Sequence, residues 1–183
     1  MPGAAEPIVR DTTRFSGWRI MALATITLGL TGPGQTIGVS VFIDHFADTL
    51  DLSKNAISAG YAIGTLCGSL TLPTVGRLVD RYGVRRAMTT IGVLFALGLT
   101  YMSGVQGLVT LTIGFFFIRM LGQGSLSLAS TVAISRWFDR RRGLALGIAM
   151  TISSALMALV PVALSFVIDE VGWRQAWLVA AGT

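Results

Sequence analysis

The chain has 183 residues, of which 52% are hydrophobic and 13% charged, with a formal net charge of +5. A soluble domain carries about 25% charged residues, so this composition leaves too little polar surface to cover a soluble fold. The basic residues sit in short clusters between long apolar runs, which excludes a nucleic-acid face and fits a lipid bilayer.

The first seventeen residues are polar and mixed in charge, and read as a cytoplasmic tail. The apolar run behind them is too long for a cleaved signal peptide. From residue 18 to 183 the chain reads as one transmembrane bundle, because runs of roughly 20 apolar residues, enough to span a bilayer, recur in order. They are expected at about 20–43, 57–79, 87–105, 108–134 and 144–168, and a sixth from 173 is cut short at 183. Eleven helical residues rise only about 16 Å, half a hydrocarbon core.

The first run holds Gly29, Gly32, Pro33, Gly34 and Gly38, a cluster that predicts a kink or a mobile segment. The second holds Gly60, Gly64 and Gly68 on one helix face, a stripe that permits close backbone approach. That stripe is expected to face a second helical bundle. Cys67, in the same run, reads as a small apolar-facing residue, and one cysteine makes no internal disulfide. His45, beside Asp44 at the outer end of the first run, reads as a loop histidine or a pH sensor. Pro161 predicts a kink in the fifth helix.

The loops fix an orientation. Arg10, Arg14 and Arg19 precede the first span, Arg77, Arg81, Arg85 and Arg86 separate the second and third, and Arg136, Arg140, Arg141 and Arg142 separate the fourth and fifth. The alternate loops hold Lys54 and Arg174 among Asp44, Asp48, Asp51, Asp169 and Glu170. The positive-inside rule places the N-terminus and both arginine loops in the cytoplasm.

The loop between the second and third spans, residues 76–86, reads GRLVDRYGVRR. Gly83 permits a turn with positive φ, Gly76 a close helix approach, and Asp80 an arginine pair or a helix cap. This loop resembles the signature G-x-L-x-D-R-x-G-R-K/R of the major facilitator superfamily. Gly76, Leu78, Asp80, Arg81, Gly83 and Arg85 fall in matching positions, and Arg86 adds a charge after them. Residues 136–147, RWFDRRRGLALG, with Gly172-Trp173-Arg174, resemble the monocarboxylate transporter branch and its oxalate/formate antiporter relatives. The resemblance implies an all-α membrane protein, the N-terminal six-helix half of a major facilitator fold. It further implies two inverted three-helix repeats, with the sixth helix truncated here. It also implies alternating access, with residues 76–86 acting as a gating loop.

Arg119 is the ionisable residue deep inside the fourth run. A charge there belongs to the bundle interior or a wet cavity. It reads either as a substrate-binding or proton-coupling cation, or as a structural arginine held by backbone carbonyls and by Gln35 or Gln123. Gln35 and Gln123 are themselves candidate cavity residues or interhelical hydrogen-bonders. No H-E-x-x-H, phosphate loop or nucleophile–base set is present, so neither catalytic residue, metal ligand nor cofactor is expected. The expected function is transport of a small solute, an organic anion such as a monocarboxylate, in the bacterial inner membrane. A sugar, drug or other metabolite, or an inactive truncated product, are the alternatives. The expected partners are the bilayer, the solute and a missing C-terminal half.

Overall fold

In the computed structural model, described at residues 17–138 and 141–182, every regular element is helical. The expected tail, apart from Gly17, lies outside the described residues, as do Asp139 and Arg140 of the second motif.

The glycines of the first run break it into pieces. Helix α1 (Gly17–Leu30) stops before a single 3-10 turn at Gly32–Gly34, then come α2 (Thr36–Ser40) and α3 (Ile43–Leu50). Pro33 supplies no backbone donor and disfavours helix in the residue before it. The bend is tight: a β-carbon on Gly38 would run into the Gly32 carbonyl. The first span is therefore three short helices, where the sequence predicted one kinked or mobile run.

The second span is α4 (Lys54–Tyr82), opened by the Ser53 hydroxyl accepting from the Ala56 N–H at 3.2 Å. The third is α5 (Val84–Ser103). The fourth starts as α6 (Leu108–Ile118), widens into a π-helical stretch at Arg119–Leu126, and continues as α7 (Ser127–Trp137). Within the π stretch the Ser125 hydroxyl donates to the Met120 carbonyl, five residues back, at 2.7 Å. The fifth span is α8 (Arg142–Val171), unbroken at Pro161, and the sixth element is α9 (Trp173–Gly182). By length and composition Lys54–Tyr82, Leu108–Trp137 and Arg142–Val171 can each cross a membrane.

The two arms of the bundle repeat one another. Helices α4 and α8 have 29 and 30 residues, hold Pro73 and Pro161, and end at Gly83 and Gly172. These glycines share one conformation, φ 83° ψ 150° and φ 82° ψ 158°. Each stands in the pattern D-x-x-G-x-R, Asp80 to Arg85 and Asp169 to Arg174. The main packing partners are α1 with α8, α4 with α6, and α5 with α9. Exchanging the first three spans for the last three maps this set onto itself. Arg174, at the start of α9, donates to the Ser103 carbonyl at the end of α5, so those two helices run antiparallel.

One core lies at the end of the bundle where α3 meets the start of α9, where Trp177 stacks on Phe42 (4.2 Å) and Trp173 meets Phe46 edge-on (5.3 Å). A smaller one, around Met21, Ile134, Phe138 and Ala149, closes the other end. The glycine stripe serves the interior. A β-carbon on Gly64 would sit 2.8 Å from the Phe116 nitrogen, and one on Gly68 3.2 Å from the Met120 nitrogen. The stripe thus seats α4 on the fourth span of the same bundle, which corrects the expectation that it faces a second one. Elsewhere on α4, Ile63, Leu66 and Leu70 are exposed, as are Leu159, Val162 and Phe166 of α8.

Candidate functional site

Arg119 is buried at 9% exposure where α6 gives way to the π stretch. Its Nε donates to the Thr65 hydroxyl at 3.1 Å and Nη1 to the Thr36 hydroxyl at 3.4 Å. The Tyr61 ring lies 5.0 Å from the guanidinium carbon, within cation–π range. The Tyr61 and Thr36 hydroxyls are themselves hydrogen-bonded at 2.8 Å. Tyr61 and Thr65 are one turn apart on α4, and Thr36 begins α2 just after the break. The site therefore joins the first, second and fourth spans.

Two irregular backbones meet here around one ring. A β-carbon on Gly34 would come within 2.8 Å of the Phe95 ring, and Phe95 also packs where Gly122 lacks a side chain. The third span thus wedges Phe95 between the broken first span and the π stretch.

A guanidinium has five N–H donors, and the contacts above engage two nitrogens. Among the described residues the ion pairs are Asp44–Lys54 and Asp80–Arg136, so Arg119 has no carboxylate partner. Such a buried, incompletely satisfied cation can accept an anion with strong charge-assisted hydrogen bonds.

Gln35 and Gln123 do not hold Arg119. Gln35 Nε2 donates to Thr31 Oγ1 at 3.0 Å, within its own span, and Gln123 is exposed on the π stretch. Sequence reasoning missed Thr36, Tyr61 and Thr65. Their signal was a hydroxyl-bearing pair at i and i+4 inside an apolar run, readable as one helix face but not as the partner of Arg119.

In the signature loop Asp80 Oδ1 accepts from Arg136 Nη2 at 3.0 Å, tying the end of the second span to the end of the fourth. Arg81 lies over the Tyr82 ring at 5.5 Å. Leu78, Arg85 and Arg86 are exposed. Gly83 makes the positive-φ turn, whereas a β-carbon on Gly76 would meet only Leu128, at 3.9 Å, an ordinary contact. His45 lies in α3 with Nδ1 buried and unpartnered among the described residues, so it is not a free loop histidine.

Residues 17–183 match the Major Facilitator Superfamily. The chain belongs to this superfamily. Monocarboxylate transporter 11 of Mus musculus is 31% identical over 169 residues, 88% of this chain and 36% of that protein. Its Homo sapiens counterpart is 30% identical over 163 residues, covering 88% and 34%. Monocarboxylate transporter 14 of Homo sapiens is 26% identical over 168 residues, covering 89% and 32%. The chain spans about a third of the length of these curated relatives. As a major facilitator protein with several membrane-length apolar helices, it is an integral, multi-pass membrane protein.

Proposed function

We propose that this major facilitator bundle is the N-terminal half of a transporter that carries a small organic anion, such as a monocarboxylate, by alternating access. The observation that carries the reading is Arg119, a buried cation whose partners among the described residues are two hydroxyls and an aromatic ring, with no carboxylate there to neutralise it. A charge at this depth costs a few kcal/mol or more, and an arriving anion offsets that cost. Tyr61, Thr36 and Thr65 fix the guanidinium, and its remaining N–H groups take the carboxylate. The exposed apolar faces of α4 and α8 receive a second six-helix bundle, and solute binds between the two. The relatives named monocarboxylate transporters favour the same solute class. The arginine-rich loops face the cytoplasm of a bacterial inner membrane, and the protein moves its solute without catalysing a reaction.

The test is uptake into proteoliposomes holding the full-length protein, with labelled monocarboxylates, dicarboxylates and neutral sugars. Saturable monocarboxylate uptake, abolished by Arg119→Ala and partly kept by Arg119→Lys, is expected. Saturable sugar uptake that carboxylates do not compete would overturn the anion reading.

A further inference from the structure

Arg85 and Arg86 stand side by side at the start of α5, and each opens onto a different cleft. The Arg85 cleft lies beside α1 and is bounded by Trp137, close to the undescribed residues. The Arg86 cleft, of about 480 Å³, is lined by α4, α5 and the π stretch and opens to one side. Val75, Leu78 and Tyr82 line it along α4, Ile91 and Leu94 along α5, and Leu121 of the π stretch forms its floor.

Its two ends differ in chemistry. The body is apolar and open: Leu78 and Leu94 are 46% and 45% exposed, surfaces that in a bilayer meet acyl chain. The mouth is cationic. The Arg86 side chain has no hydrogen bond or ion pair among the described residues, and Arg77, Arg81 and Arg85 add to its field. The acidic residue of this loop, Asp80, is already engaged by Arg136. The Tyr82 ring also lines this cleft, and an amphipathic aromatic suits the membrane–water boundary. A zwitterionic headgroup would bring its own cation to this cluster, whereas an anionic one brings a net negative charge.

We propose that the cleft between α4, α5 and the π stretch binds one anionic glycerophospholipid. Its phosphate sits on Arg86, and one acyl chain runs along Leu78, Ile91 and Leu94. The proposal depends on residence in a bilayer and not on which solute is carried.

The test is native mass spectrometry of the purified chain, titrated with phosphatidylglycerol or phosphatidylcholine of identical acyl composition. Phosphatidylglycerol should be retained about fivefold more tightly, as expected for one arginine contact near a membrane surface. Arg86→Ala should remove that preference, and Arg77→Ala, an equal loss of charge outside the cleft, should keep most of it. Thr90→Trp, which fills the cleft at an exposed position without changing charge, should weaken binding of both lipids. Circular dichroism establishes that each variant is folded. Equal retention of the two lipids by the unmodified chain overturns the proposal without reference to any variant. So do equal losses from Arg77→Ala and Arg86→Ala, or unchanged binding in Thr90→Trp.

Discussion

The ring of Tyr61 and the hydroxyls of Thr36 and Thr65 hold Arg119 from three sides, and each contact makes a separable contribution. Tyr61→Phe keeps the ring under the guanidinium but deletes the bond to Thr36. It should therefore lower anion affinity severalfold without lowering expression, whereas Arg119→Ala should abolish uptake; saturation kinetics beside membrane abundance separate the two. Equal loss of uptake and abundance in Arg119→Ala would assign this arginine to structure. In solvent ahead of the apolar stretch of the second span, Lys54 donates to Asp44 at 2.6 Å, which holds the Asp44 carboxyl below its usual range and raises Lys54 above its own. The Asp44 contribution is present above the ordinary value of 3.8 and is lost as pH falls through the lowered one. The Lys54 contribution is present below 10.5 and is lost as pH rises through the raised value. The pair should thus be insensitive to pH across the neutral range. Asp44→Asn should flatten the pH dependence of thermal stability only at the acid and alkaline ends. The cation of the site was legible as a lone charge in an apolar run. Its partners were not, since polarity drew attention to Gln35 and Gln123, which the backbone turns to other uses.

Elements show where local sequence decides and where packing does. Gly32, Pro33 and Gly34 announce the break in the first span because proline and glycine act through the backbone itself. The π stretch leaves no comparable mark: Gly122 and Gly124 lie in it where Phe95 and Leu72 pack close, contacts that the local sequence does not reveal. The positive φ at Gly83 was readable from the motif. The same turn at Gly172 was not foreseen, although Gly172-Trp173-Arg174 had been singled out by resemblance. Gly83→Ala and Gly172→Ala should each cost about 1–3 kcal/mol, the penalty for a side chain in this backbone region. Gly64→Val should cost a similar amount, about 1–3 kcal/mol, by overpacking against Phe115 and Phe116. Thermal unfolding in detergent checks all three. A Gly76→Ala control should be nearly neutral, given its open surroundings. Asp80→Asn removes the charge from the tie between the second and fourth spans. In a full-length transporter it should shift the balance of inward- and outward-open states while leaving affinity in each state little changed. Transport kinetics matching the parent protein would rule that role out.

For the whole molecule, the proposed orientation rests on the charge of the loops. Single cysteines placed at Arg85 and Asp169 in a Cys67→Ser background should be labelled by an impermeant maleimide from opposite sides, with Asp169 reached from outside. Labelling of Arg85 from outside would invert the assignment. The bundle alone should not transport, because alternating access needs a second body to move against; saturable uptake by a monomeric bundle in liposomes would refute this. The bond from Arg174 to the Ser103 carbonyl links residues 71 apart, and that from Trp173 to Thr49 links residues 124 apart. At a synthesis rate of about 5–20 residues per second, the end of the third span waits roughly 4–14 s for Arg174 to be made. Throughout that interval its last carbonyls have no helix to receive, and the aromatic core around Phe42 and Phe46 lacks two of its rings. The bundle therefore locks late. In an arrest-peptide assay, the pulling force on the nascent chain should rise as Trp173 and Arg174 clear the ribosome, and Arg174→Ala should blunt that rise.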